Sequence, residues 1–146
     1  MRLPLLTAAA VVAGVLLAPL SARAATPVFL TIDQSSDIVL DKATAQATWK
    51  RQLDDKLVKR LAKLYPVGKW GFISEVEGGF NADKTCIVTA RAMLVPRSGK
   101  RLVFEPNKMA TAFDAKPGAT AAECRALATA KLGDAIGSVI ATLAKQ

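Results

Sequence analysis

The stretch WGFISEVEGGF, residues 70–80, followed after a short polar turn by CIVTARAMLV, residues 86–95, decides the fold. Both segments alternate in polarity with period two, as half-buried strands do. On one face lie Trp70, Phe72, Val76 and Phe80, then Cys86, Val88, Ala90, Ala92 and Leu94. Gly71, Ile73, Glu75 and Glu77, then Ile87, Thr89, Arg91 and Met93, lie on the other. Residues 81–85 (NADKT) supply the turn, so the two segments form a hairpin. Parity fixes the register, because a slip of one residue would turn a whole strand over. The register that keeps apolar faces together sets Phe80 opposite Cys86, Val76 opposite Ala90 and Phe72 opposite Leu94.

Beyond this hairpin, Pro96-Arg97-Ser98-Gly99 reads as a second turn, a three-residue loop with Gly99 in the left-handed position. A third strand is expected from Lys100, with Leu102 and Phe104 inward and Leu94 opposite Leu102. On the outer face this places Glu75, Arg91 and Glu105 in one ion row across three strands. Pro106-Asn107 interrupts the strand, and Met109–Phe113 resumes it.

Upstream, Val28–Ile32 is β-branched and apolar, a strand, and Asp33–Asp37 a polar turn. Asp41 is an N-cap for a helix expected over Ala43–Tyr65, where Trp49, Leu53, Leu57, Leu61 and Leu64 form one stripe. Pro66 and Gly68 end it. Downstream, Thr120-Ala-Ala-Glu123 is a capping box opening a last helix to about Ala144. Its apolar side carries Cys124, Leu127, Ala128, Leu132, Ile136, Val139 and Leu143. The order β-α-β-β-β-α gives an α+β two-layer sandwich, an antiparallel sheet of three to five strands with two helices on one face.

Cys86 and Cys124 are the two cysteines of the chain. Each falls on the buried side of its element, so a disulfide between them would clamp the last helix to the sheet, stabilising by about 4 kcal/mol in the loop-entropy account. The N-terminus points to the compartment where such a bond forms. A basic Arg2, an apolar run to Leu20 and small residues at Ala22 and Ala24 read as a cleavable signal peptide over residues 1–24. Residues 25–146 then form a single exported domain, periplasmic or secreted.

The 146 residues contain no histidine and carry a formal net charge of +8. The Ser-His-Asp and Cys-His nucleophile systems and imidazole metal sites are therefore excluded. No phosphate-binding glycine loop is present, and no cofactor is expected. Asp33, Ser35, Asp37 and Asp41 lack the spacing of a calcium loop and read as a turn plus a cap. Glu75, Glu77 and Glu105 could serve a hydrolase, but an open face offers little desolvation to separate two carboxyl pKa values.

Lys56, Lys59, Arg60 and Lys63 form a basic stripe beside Trp49, with Asp55 placed to pair with Lys59. This stripe suits anionic lipid or glycan. Arg97, Lys100 and Arg101 form a smaller cluster. Ala126, Ala130, Gly133, Gly137 and Ala141 make a small-residue stripe suited to close helix packing. The expected function is a non-catalytic envelope protein that binds another macromolecule, as an accessory, inhibitor or immunity-type protein. The expected partner is an envelope protein, the alternative an anionic lipid or glycan, and no nucleic acid is expected.

Overall fold

The computed structural model describes residues 27–145, so the signal-peptide expectation for residues 1–24 lies outside the described residues. The elements run β1 (Leu30–Asp33), α1 (Lys42–Gln52), α2 (Asp55–Leu64), β2 (Trp70–Phe80), β3 (Thr85–Ser98), β4 (Arg101–Leu102), β5 (Lys108–Pro117) and α3 (Ala121–Ala144). They build an α+β sandwich on a five-stranded sheet.

The central hairpin forms in the expected register: Phe80 faces Cys86, Val76 faces Ala90, and Phe72 faces Leu94. Asn81 closes its turn, its side-chain oxygen accepting from the N–H groups of Asp83 and Thr85. The sheet is mixed, because β1 runs parallel to β2 with Leu30 beside Gly71. A parallel neighbour needs a long crossover, and α1 and α2 supply it.

The single long helix expected from Ala43 to Tyr65 is two helices. Asp54 ends the first by capping the second, accepting from Leu57 N–H at 2.8 Å. Of the expected stripe, Trp49 and Leu61 are buried and Leu53 and Leu57 partly buried, while Val58 and Tyr65 join them in the core. Leu64 lies half exposed, off the side that faces the core.

The third strand differs more. The loop after β3 holds two residues, Gly99 and Lys100, because Ser98 pairs with Arg101 and Arg97 with Leu102. Gly99 has φ 60°, at the position a type II′ turn reserves for glycine. The shorter loop shifts register by an odd number, and Leu102 turns to the face opposite the helices. There it packs on Ile73, Met93 and Val95. Gly71 leaves the room: a Cβ at that position would lie 2.6 Å from Leu102 Cδ2. The chain then leaves the sheet over 103–107, where Phe104 is 59% exposed rather than inward. It returns as β5, which pairs with β3 along its whole length, from Leu94 opposite Lys108 to Thr85 opposite Pro117.

The main core lies between the sheet and the helices. Phe72 sits at its centre, its ring 5.1 Å from Phe29 and 5.0 Å from Trp49. Helix α3 lies mainly across β3 and β5 and buries Cys124, Ala128, Leu132, Ile136, Val139 and Leu143. The capping box forms as expected: Thr120 Oγ1 accepts from Glu123 N–H, and Glu123 Oε2 accepts from Thr120 N–H at 2.8 Å. Cys86 and Cys124 are joined, with Cα atoms 5.7 Å apart, clamping the first turn of α3 to the start of β3.

Candidate functional site: the helix-free sheet face

Every helix described packs on the even-numbered face of the hairpin. The odd-numbered face divides in two. Near Gly71 it is covered by Leu102, and beyond Met93 it is bare. On the bare half β2 contributes Glu75 and Glu77, β3 contributes Ile87, Thr89 and Arg91, and β5 contributes Met109, Thr111 and Phe113.

Register explains the grouping. Glu75 is opposite Arg91, and Arg91 is opposite Thr111. Thr89 stands between Glu77 and Phe113. Arg91 Nη1 donates to Glu75 Oε2 at 3.1 Å, with both side chains partly exposed. Apolar side chains share this half of the face with the pair: Ile87 further along β3, and Met109 (56% exposed) and Phe113 (64% exposed) on either side of Thr111. A flat surface with apolar groups beside one oriented ion pair can dock a partner's apolar side chains and read its polar ones. Glu105 is absent from this row. It lies in the excursion 103–107, displaced by the register shift that turned Leu102 over, and Thr111 takes its place. The three-strand Glu–Arg–Glu row is therefore one Glu–Arg pair. For the same reason Glu75 and Glu105 do not converge as a carboxylate pair.

The basic stripe lies on α2 as the spacing implied. Lys56, Lys59, Arg60 and Lys63 are all exposed, and among the described residues none forms an ion pair. Asp55 makes no bridge to Lys59 within that set. Trp49 does not border the stripe: it is 2% exposed, because its position on α1 faces the core. Arg97 is tied down locally, donating to the carbonyls of Gly99 and Val67.

Sequence reasoning missed a polar relay beneath β1. Trp49 Nε1 donates to Ser74 Oγ at 3.0 Å, and Ser74 donates to Asp33 Oδ1 at 2.7 Å. Ser35 Oγ donates to the same oxygen and accepts from Val76 N–H. Ser74 is fully buried. Its signal in the sequence was a serine at an even, inward position of β2. The relay satisfies its own members and fastens β1 and α1 to β2, so it reads as structure rather than chemistry.

Among the described residues no group of three His, Cys, Asp or Glu side chains converges as a metal site. A pocket of about 220 Å³ opens between β1 and the α1–α2 junction, lined by Phe29, Trp49, Leu53, Val58, Lys50 and Asp55. That volume is below the roughly 300 Å³ at which ordinary small-molecule sites begin. The small-residue stripe of α3 lies beside α1 at Ala126, Ala130 and Gly133, where the Gly133 carbonyl accepts from Gln52 at 3.4 Å. Ala126, Ala130 and Ala141 are exposed, so the stripe as a whole is not a packed seam.

Comparison with known proteins adds little to this. No family model matches the chain, and no curated protein matches it. Among solved structures it is similar to the PelC dodecamer from Paraburkholderia phytofirmans, at 11% identity and TM-score 0.37, covering 79% of this chain and 94% of that one. It is also similar to a candidate lipoprotein from Caulobacter crescentus CB15, at 10% identity and TM-score 0.36, covering 77% and 88%. A DUF330 protein from Xanthomonas campestris follows at 13% identity and TM-score 0.27, covering 79% and 80%. These scores are low, and nothing about partners or assembly carries over from them.

Proposed function

We propose that this protein is a non-catalytic component of the cell envelope that binds another protein through the bare half of its sheet, in an accessory, inhibitor or immunity-type role. The observation that carries this reading is the exposure of Ile87, Met109 and Phe113 on the same sheet face as the Glu75–Arg91 pair. Large exposed apolar groups gathered on one face mark interaction surfaces. The disulfide supports maturation in an oxidising compartment.

The test is affinity capture from an envelope extract, comparing the oxidised protein with an Ile87→Glu/Glu77→Lys variant. A partner retained by the first and lost by the second, with the thermal midpoint nearly unchanged, supports the reading. Equal recovery of every partner by both proteins refutes it.

The free cations of α2 favour a second reading, docking on anionic lipid or glycan. Each lysine or arginine near an anionic membrane contributes about 1 kcal/mol. Binding to phosphatidylglycerol vesicles that salt weakens and Lys56→Glu/Lys59→Glu abolishes would establish it. Binding indifferent to both would dismiss it.

A further inference from the structure

We infer that this chain pairs with a second copy of itself through β5, strand against strand, about a two-fold axis at Thr111. The inference goes beyond the proposed function and uses the edge of the sheet rather than its face.

The edge is real and open. β5 pairs with β3 on one side only. The hydrogen-bond parity shows which of its groups point outward. Asn81 N–H donates to Thr85 O, so odd residues of β3 turn toward β2. Even residues of β3 then turn toward β5, where they meet even residues of β5. The N–H and C=O groups of Met109, Thr111, Phe113 and Ala115 are left on the outer edge. One of these is already used: Ala115 N–H donates to Asp114 Oδ1 at 2.8 Å. Among the described residues no other backbone bond to this outer edge is formed. Unpaired strand edges of this length are templates for pairing, and proteins that stay monomeric usually blunt them.

The sequence of β5, KMATAFDAKP, is self-complementary in one antiparallel register. With Thr111 opposite Thr111 of the second copy, Lys108 stands opposite Asp114 of the second copy. Met109 stands opposite Phe113 of the second copy, and Ala110 opposite its Ala112. Every position in this ladder is matched: charge to opposite charge on the helix side, apolar to apolar on the bare face, threonine to threonine at the axis. Such cross-strand pairs are the stabilising ones. The ladder uses the free N–H groups of residues 109, 111 and 113 and leaves out Ala115, whose N–H is occupied.

Neighbouring registers are worse. Centring on Ala112 sets Lys108 against Lys116, like charge against like. A parallel arrangement sets each lysine beside its own copy. A register shifted by one residue would put apolar side chains of one copy level with polar ones of the other. In the favoured register the two sheets become continuous, and the two bare faces join side by side with Met109 and Phe113 at the seam.

The experiment is sedimentation and light scattering of the oxidised protein, purified from cells expressing the full chain, from micromolar to near-millimolar concentration. A monomer–dimer equilibrium is expected. Thr111→Pro removes an outward N–H and leaves the β3 ladder intact, and it should weaken the dimer by about tenfold or more. Lys108→Glu, which faces Asp114 of the second copy, should weaken it independently. Thr111→Cys should form an intermolecular disulfide on mild oxidation. Directly bonded antiparallel residues have Cα atoms about 5.5 Å apart, inside the range of about 4.4–6.8 Å that a disulfide spans. Thr142→Cys, exposed on α3, should not. Cys86 and Cys124 are already joined and buried, so they do not compete.

A protein that stays monomeric at every concentration overturns the inference and leaves the edge to an extended segment of another protein. A dimer untouched by both Thr111→Pro and Lys108→Glu also overturns it. None of these substitutions alters Ile87 or Glu77, so failure here and failure of the proposed face are told apart.

Discussion

Ser74 shows how one polar residue inside an apolar strand organises three elements. Its hydroxyl accepts from the Trp49 indole and donates to Asp33, and Asp33 in turn accepts from Ser35. Ser74→Ala leaves a buried indole N–H without its acceptor. Buried donors left unsatisfied cost about 1–3 kcal/mol. We expect a loss of that size in urea unfolding, with the m-value unchanged. Ser74→Thr should restore part of it. Alternation made Ser74 inward, but no pattern in the sequence supplies its partners. Asp33 and Trp49 are far from it along the chain and meet it only when β1 is laid parallel to β2.

At the scale of elements, α3 and its junction with β5 hold most of the resolved electrostatics. The Lys116 ammonium, 2.8 Å from Oε1, and the Thr120 N–H and hydroxyl hold the Glu123 carboxyl down to about 2, from an ordinary value of 4.5. A carboxyl whose pKa falls on folding stabilises the fold above its unfolded pKa, and that stability is lost as pH falls through its folded one. The window therefore runs from about pH 4.5 down to about pH 2. Glu123→Gln should lower the thermal midpoint at neutral pH, where the carboxylate's contribution is complete, and flatten its fall across that window. A midpoint that falls equally steeply in both proteins would contradict this. Nearby, Asp134 and then Asp114 hold the Lys131 ammonium above its ordinary pKa. The capping box was legible because both of its partners lie within one turn. The salt bridge from Lys116 was not, since it depends on where β5 ends relative to α3.

For the whole molecule, the disulfide is the one covalent tie between the layers, closing a separation of 38 residues. Cys86→Ala/Cys124→Ala should cost about 2–5 kcal/mol, as loss of a native bridge does in small exported domains. Reduction of the wild-type protein should lower the thermal midpoint comparably. A midpoint unmoved by reduction would mean that noncovalent packing alone fixes α3. The bridge also sets the frame for the interaction surfaces: α3 is held on one face, leaving half of the other face and the β5 edge bare.

The sequence by itself determined the central hairpin, its register, the cysteine pairing and the start of α3. Each rests on a short-range rule: side chains alternate across a strand, and a cap bonds within one turn. The basic stripe on α2 was legible in the same way. Only the tertiary structure decided that β1 lies parallel to β2, that Asp54 splits the long helix, and that Glu105 never reaches Arg91. That last difference traces to a loop of two residues at Gly99 and Lys100 where three were expected. One odd step in register moved Leu102 to the opposite face, where Gly71 leaves space for it, and brought β5 to β3 in place of a continuous third strand. Loop length and the space beneath a side chain are properties of packed neighbours, and alternation along one strand does not contain them.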